Sequence, residues 1–164
     1  MLIFKYIVDN ELVEMGKYFG TDGFRGEANV NLTAMHAFKI GRFIGWYYGR
    51  YHKCSVVIGK DTRRSSYMFE DALSAGLTST GADVYLLHVT TTPSVSYVVR
   101  TGDFDCGIMV SASHNPFYDN GIKLINGNGE KMEQEVIDEV EKYLDSDLES
   151  IPYARMEKIG RTVD

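Results

Sequence analysis

Short apolar runs alternating with stretches of helical period constrain this chain more than any other feature. Cys54-Ser-Val-Val-Ile58, Val84-Tyr-Leu-Leu87, Cys106-Gly-Ile-Met-Val110 and Gly121-Ile-Lys-Leu-Ile125 have the length and make-up of buried strands. Between and around them, apolar residues recur every three or four positions. Ala37, Phe38, Gly41, Ile44, Gly45 and Tyr48 form one face behind Thr33 as N-cap. Phe69, Ala72, Leu73, Gly76 and Leu77 form a second, with Ser65 or Ser66 as cap and Gly81 as the stop. A third helix starts from Thr90-Thr-Thr-Pro93 and runs through Val99, and a fourth carries Val136, Ile137, Val140, Tyr143 and Leu144 on one face. The alternation predicts an α/β fold: a three-layer α/β/α domain with a mostly parallel, mixed four-stranded sheet.

A chain of 164 residues suits one such domain. With 44% hydrophobic and 24% charged residues, it is neither disordered, collagenous nor a coiled coil. Its 17 Lys and Arg against 23 Asp and Glu leave a net charge of -6, which argues against nucleic acid as the main partner. A membrane is not expected as a partner either, because no apolar run reaches the roughly 18 residues of a span. Cys54 and Cys106 form no C-x-x-C pair and no disulfide framework, so a reducing cytoplasm is the expected location.

Residues 1–15 read as an extension of uncertain role, apolar at first but without the basic start of a secretory signal, and Met15 is an alternative start. Residues 16–150 carry the domain, and the polar tail 151–164, with Pro152 and Gly160, reads as a linker toward a second domain. Trp46, Tyr47, Tyr48 and Tyr51 are assigned to core and rim. His36, His52 and His88 stand alone, without a partner at metal-ligand spacing, and are read as surface or packing residues.

Three loops are unusual. Ser111-Ala-Ser-His-Asn-Pro-Phe-Tyr-Asp-Asn-Gly121 follows directly on a strand, where parallel α/β sheets collect ligands and catalytic groups. Ser113 beside His114 joins a hydroxyl to a proton donor or acceptor, and Lys123 can return a positive charge to the loop. Asn115-Pro116 and Asn120-Gly121 are turn-forming pairs. A polar connection whose serines cap turns is the alternative. No hydrolase triad is implied, since neighbouring side chains on an extended chain point apart and no G-x-S-x-G occurs. Phe19-Gly-Thr-Asp-Gly-Phe-Arg-Gly26 combines close backbone approach with the phosphate-matching fork of Arg25, without P-loop or G-x-G-x-x-G spacing; its alternative is a tight turn with Arg25 in a salt bridge. Gly59-Lys-Asp-Thr-Arg-Arg-Ser-Ser66 lies between a strand end and a helix start. Lys60, Arg63 and Arg64 there can receive an anion, but Asp61 and Arg63 are expected rather to lock neighbouring loops together.

In this order and spacing the three loops resemble the α-D-phosphohexomutase superfamily, and within it most closely the bacterial phosphoglucosamine mutase branch. Gly20-Thr-Asp-Gly-Phe-Arg-Gly-Glu-Ala-Asn29, Gly59-Lys-Asp-Thr-Arg63 with Ser65, and the segment from Ser111 through Lys123 carry the resemblance, which extends from about Lys17 to the C-terminus. It implies that Ser113 carries a phosphoryl group, with Ser111 as a decoy. It implies proton transfer or phosphate contact by His114 and Lys123, and phosphate or substrate contacts by Arg25, Thr21 and Asn115. The implied reaction interconverts glucosamine 6-phosphate and glucosamine 1-phosphate through a hexose 1,6-bisphosphate, supplying UDP-N-acetylglucosamine synthesis. A phosphomannomutase or phosphoglucomutase domain is the neighbouring alternative, and a stand-alone binding module that kept the fold is the non-catalytic one.

Members of that family are four-domain chains, and this sequence resembles the first domain alone. It contains no D-G-D-x-D-R metal loop, no glutamate-bearing sugar loop and no C-terminal Arg-Ser-Gly-Thr phosphate loop. One Mg²⁺ is therefore expected to reach this chain only through phosphorylated Ser113, with its other ligands in another domain. The isolated domain is expected to be inactive, with the face that meets the other domains exposed.

Overall fold

The computed structural model describes residues 16–164 and, ahead of them, the backbone of two short antiparallel strands, β1 (Lys5–Val8) and β2 (Glu11–Glu14). The expected extension 1–15, with its alternative start at Met15, otherwise lies outside the described residues. The main sheet contains β3 (Phe24–Glu27), β4 (Ser55–Lys60), β5 (Asp83–Val89), β6 (Cys106–Val110), β7 (Asp119–Asn126) and β8 (Thr162–Val163), in the order β3-β7-β6-β4-β5-β8. Only β7 runs against its neighbours; β6, β4, β5 and β8 pair in parallel.

Side chains along β4 alternate between the two faces. Val56 and Ile58 join Cys106, Ile108, Val110, Ile122 and Leu124 beneath three helices: α1 (Ala34–Tyr48), α2 (Arg64–Ser79) and α4 (Gln134–Leu144). Val57 points the other way, with Met109 and Ile125, against Val95 and Val99 of α3 (Thr92–Thr101). Ile40, Ile44, Leu73 and Leu77 are fully buried where α1 and α2 meet, each burial contributing roughly 1.5–3 kcal/mol. The three layers and the mixed sheet are as expected.

The sheet has six strands rather than four. β3 lies inside the glycine-rich segment read as a loop; Phe24-Arg-Gly-Glu27 holds one buried side chain, and its register partners, Ile122 to Asp119, are distant in sequence. β8 is two residues long and is held by β5. β4 also runs two residues past Ile58, through Lys60. The α2 cap differs as well: Arg63 occupies it and its guanidinium, having no acceptor, makes no capping bond, while the Ser66 hydroxyl donates to Asp61 at 2.6 Å. Thr33 caps α1 as expected.

The tail 151–164 lies along the domain. Ile151 is buried, the Ala154 and Gly160 amides donate to the carbonyls of Ser79 and Thr78, and the Arg161 carbonyl accepts from Val84. Arg42, fully buried, donates to Tyr143 Oη, Ser79 Oγ and the carbonyls of Leu148 and Ile151, beneath the ring of Tyr153.

From β4 the chain crosses to β5 over the α1/α2 face, then returns across β4 to β6 over the α3 face. The order therefore reverses between β4 and β6, and the crevice beyond their carboxyl ends is where open α/β sheets bind ligands. Lys60 pairs with Val110 there, and the Asp61 amide donates to the Val110 carbonyl at 3.0 Å.

Candidate active site

Leaving β6, the chain stays buried through Ser111 and Ala112 and emerges at Ser113. Ser113 has φ 54, a left-handed conformation that few residues other than glycine adopt. Its amide donates to Ser111 Oγ at 3.0 Å, so the buried Ser111 hydroxyl shapes the turn while that of Ser113 faces outward. The Asn115 amide then closes onto the Ala112 carbonyl.

Two cations reach Ser113 Oγ from different strands. Arg25 Nη2, from β3, lies at 3.2 Å and Lys123 Nζ, from β7, at 3.1 Å. Arg25 stands opposite Gly121 in the β3–β7 register. A Cβ at Gly121 would come within 2.7 Å of the Ser111 carbonyl and 3.0 Å of Arg25 Cγ, so a side chain there would push the guanidinium off the serine. Arg25 Nη1 is 3.8 Å from Asp22, which is largely exposed, and Arg25 Nε is buried without a hydrogen bond. Burial, and then the Arg25 charge, hold the Lys123 ammonium below its ordinary value. Positive charge is thus concentrated around one hydroxyl at a water-exposed edge, an arrangement suited to an anion on Oγ.

At the base of the loop Asp61 and Arg63 lock neighbouring loops together, as expected. The Arg63 guanidinium donates to Asp61 Oδ2 and to the carbonyls of Ser113, Asn115, Pro116 and Asp119. Burial pushes the Asp61 carboxyl up, but bonds from Ser66, the Arg63 amide, Ser111 and the Arg63 side chain outweigh it and hold the group below its ordinary value. Asn120 donates to Ser65 Oγ and Ser66 Oγ, joining α2 to the start of β7. The Asp61-Thr-Arg63 spacing signals a turn, whereas the carbonyls it serves, 50 to 56 positions onward, leave no local signal.

Of the six residues expected at the site, three converge: Ser113, Arg25 and Lys123. His114 and Thr21 are exposed at its rim, and Thr21 lines a cleft of about 210 Å³ that reaches Lys123 from the α3 side. The Asn115 side chain is engaged within the loop, donating to Asp119 Oδ2 at 3.2 Å. Lys60, considered for an anion in the third loop, is instead buried and bonded to Glu70 Oε1 at 2.6 Å.

The family resemblance implies a divalent cation at the serine, but the donors of this chain do not make its cage. The charged groups bonded to Ser113 Oγ are both cations, the Asp61 carboxyl is spent on Arg63 and Ser66, and among the described residues no three His, Cys, Asp or Glu side chains converge. Among the described residues, too, no helix is long and apolar enough to cross a membrane.

Residues 16–150 match the model of phosphoglucomutase/phosphomannomutase, alpha/beta/alpha domain I. The chain is 75% identical over 153 residues to a phosphoglucosamine mutase of Lachnospira eligens, and 71% over 150 residues to one of Lachnoclostridium phytofermentans. Each alignment covers 92% of this chain and 34% of the relative, so the chain spans about a third of the length of the curated relatives it matches. A crystal structure from Thermus thermophilus, assigned as a phosphomannomutase, superimposes with a TM-score of 0.72 at 32% identity, over 89% of this chain and 32% of that one.

Proposed function

Because the chain belongs to the phosphoglucomutase/phosphomannomutase family, whose α/β/α domain I it carries, we propose that it supplies the nucleophile of a phosphoglucosamine mutase. The parent enzyme would interconvert glucosamine 6-phosphate and glucosamine 1-phosphate in the cytoplasm. In that reading residues 16–150 are the nucleophile-bearing domain and 151–164 lead on toward a second one. The choice of glucosamine over mannose or glucose rests on the 75% and 71% identities to phosphoglucosamine mutases.

One observation carries the reading: Ser113 Oγ stands on a left-handed turn within 3.2 Å of a guanidinium and 3.1 Å of an ammonium. Ser113 Oγ forms a bond to the phosphorus of a hexose 1,6-bisphosphate as the bond from phosphorus to a sugar oxygen breaks, and the serine proton passes by way of Lys123 to that sugar oxygen, leaving a monophosphate. The phosphoserine, with about −1.5 to −2 charges, is then held between Arg25 and Lys123. Transfer back to the free hydroxyl of a monophosphate re-forms the bisphosphate, and once the sugar has turned round Ser113 takes the other phosphoryl group, which completes the isomerisation. We assign Lys123 to proton exchange, since its charged form is disfavoured where it touches the hydroxyl. We assign His114, Thr21 and Asn115 to the substrate's phosphate and hydroxyl groups. A phosphorylated Ser113 would supply this chain's one oxygen ligand to a Mg²⁺ ion whose carboxylates lie beyond this chain, and the chemistry the bound ion would supply is neutralisation of phosphoryl charge.

The test is intact mass with peptide mapping after incubation with glucosamine 1,6-bisphosphate and Mg²⁺. The expected result is one added phosphoryl, about 80 Da, on Ser113, and none on Ser113→Ala. Phosphate on Ser111 in the unaltered chain would sink the assignment.

A further inference from the structure

We propose that Arg63 is a positioning residue for the nucleophile: it holds the Ser113 loop in shape while adding no net charge to the site. A guanidinium has five N–H groups, and in Arg63 every one is spent inside the fold. Nε donates to Asp61 Oδ2 at 2.9 Å, Nη1 to the carbonyls of Pro116 at 2.5 Å and Asp119 at 3.1 Å, and Nη2 to those of Ser113 at 3.0 Å and Asn115 at 2.9 Å. None remains for a substrate phosphate, although Arg63 lines the shallow cleft in front of Ser113.

The bonds bracket the nucleophile. The Ser113 amide is fixed by Ser111 Oγ and the Ser113 carbonyl by Arg63 Nη2, so both peptide groups that set its left-handed backbone are held. That backbone decides whether Oγ reaches Arg25 and Lys123. The Asp61 carboxylate, 2.9 Å away, neutralises the Arg63 cation, whereas Arg25 and Lys123 donate to the serine oxygen itself. Lysine cannot replace this arrangement, having three donors on one atom instead of a planar fork.

The kinetic half of the inference rests on Ser113 as phosphoryl acceptor; the structural half does not. Two readouts therefore separate them. In Arg63→Lys, hydrogen exchange at the Ser113, Asn115 and Asp119 amides should rise about tenfold or more while β4 and β6 amides keep their protection. Phosphoryl uptake by Ser113 from glucosamine 1,6-bisphosphate should slow about 100-fold at saturation with KM changed less than about threefold, the signature of a misplaced nucleophile. Free guanidinium should partly restore uptake in Arg63→Ala.

Unchanged loop exchange in Arg63→Lys, or a loss confined to KM, would overturn the proposal. Asp61→Asn gives a second check: it should keep the carbonyl bonds and loop protection and tighten bisphosphate binding by uncovering a positive charge, and loss of protection there would shift the role to Asp61. If Arg63→Lys does not fold, the unaltered chain still decides, since coil-like exchange at those three amides refutes the clamp. If the unaltered chain takes up no phosphoryl group, uptake is read in the full-length parent enzyme, where its absence from Ser113 refutes the proposed function while the exchange result stands.

Discussion

Two lysines on this sheet have opposite surroundings. Lys60 ends β4, is 2% exposed, and is bonded to Glu70 Oε1 at 2.6 Å beneath the ring of Tyr67. Lys123 lies in β7, half-buried, with a serine hydroxyl at 3.1 Å and Arg25 as the neighbour that disfavours its charge. The first is a balanced pair that lets a strand carry charge into the interior. The second is left unbalanced at an edge open to solvent, and that imbalance marks the place prepared for an anion. The arginines divide in the same way: Arg63 is neutralised by Asp61 at 2.9 Å, while Arg25 gives Nη2 to the serine and has the exposed Asp22, 3.8 Å from Nη1, as a more distant counter-charge.

The contrast breaks if the lysines behave alike on substitution. Lys123→Met is expected to slow phosphoryl uptake by Ser113 at least 100-fold, with stability changed by no more than about 1 kcal/mol; mass spectrometric rates and urea unfolding measure the two. Lys60→Met is expected to do the reverse. It strands Glu70, whose Oε2 already lacks a partner, and should cost roughly 3–5 kcal/mol, largely recovered in Lys60→Met with Glu70→Met. If Lys60→Met left stability untouched, the buried pair would not be the support described above.

The smallest effects are in the pH dependence. Asp61 titrates below its ordinary 3.8, so its contribution to stability is complete above that value and lost as pH falls through the folded one. Asp61→Asn should flatten the acid limb of an unfolding curve. Lys123 titrates below its ordinary 10.5, so at alkaline pH the unfolded chain binds more protons and stability rises with pH until 10.5 is passed. Lys123→Met should remove that rise, and a rise that persisted would belong to another group.

What the sequence makes legible follows from the range of each interaction. Four buried strands and four helices are visible because their signal, apolar periodicity, is local. The Ser113 loop is visible because Asn115-Pro116 and Asn120-Gly121 bracket it. β3 is hidden: a four-residue strand with one buried side chain exists only because β7 lies beside it. The reach of β4 to Lys60 is hidden because it needs Glu70, on the helix above. His88, read as isolated, meets Asp164 at 2.8 Å and approaches Glu70 at 3.6 Å, and neither neighbour is near it in sequence. At the site, Ser113 and Lys123 are legible from the motif, but the full use of Arg63 depends on four carbonyls that carry no sequence signature.

The Ser113 loop joins two antiparallel neighbours, β6 and β7, and this has a consequence for the order in which the site assembles. Serine and lysine are ten positions apart on one hairpin, with Val110 opposite Ile122 at its base, whereas Arg25 is 88 positions from the serine it touches. Closing the longer loop costs about 2 kcal/mol more chain entropy than closing the shorter. Chain closure therefore favours forming the hairpin, with hydroxyl and ammonium already facing each other, ahead of docking the β3 edge. In that order the guanidinium would be the last of the three groups to arrive, and a chain arrested before that step would hold its reactive turn with half of its charge.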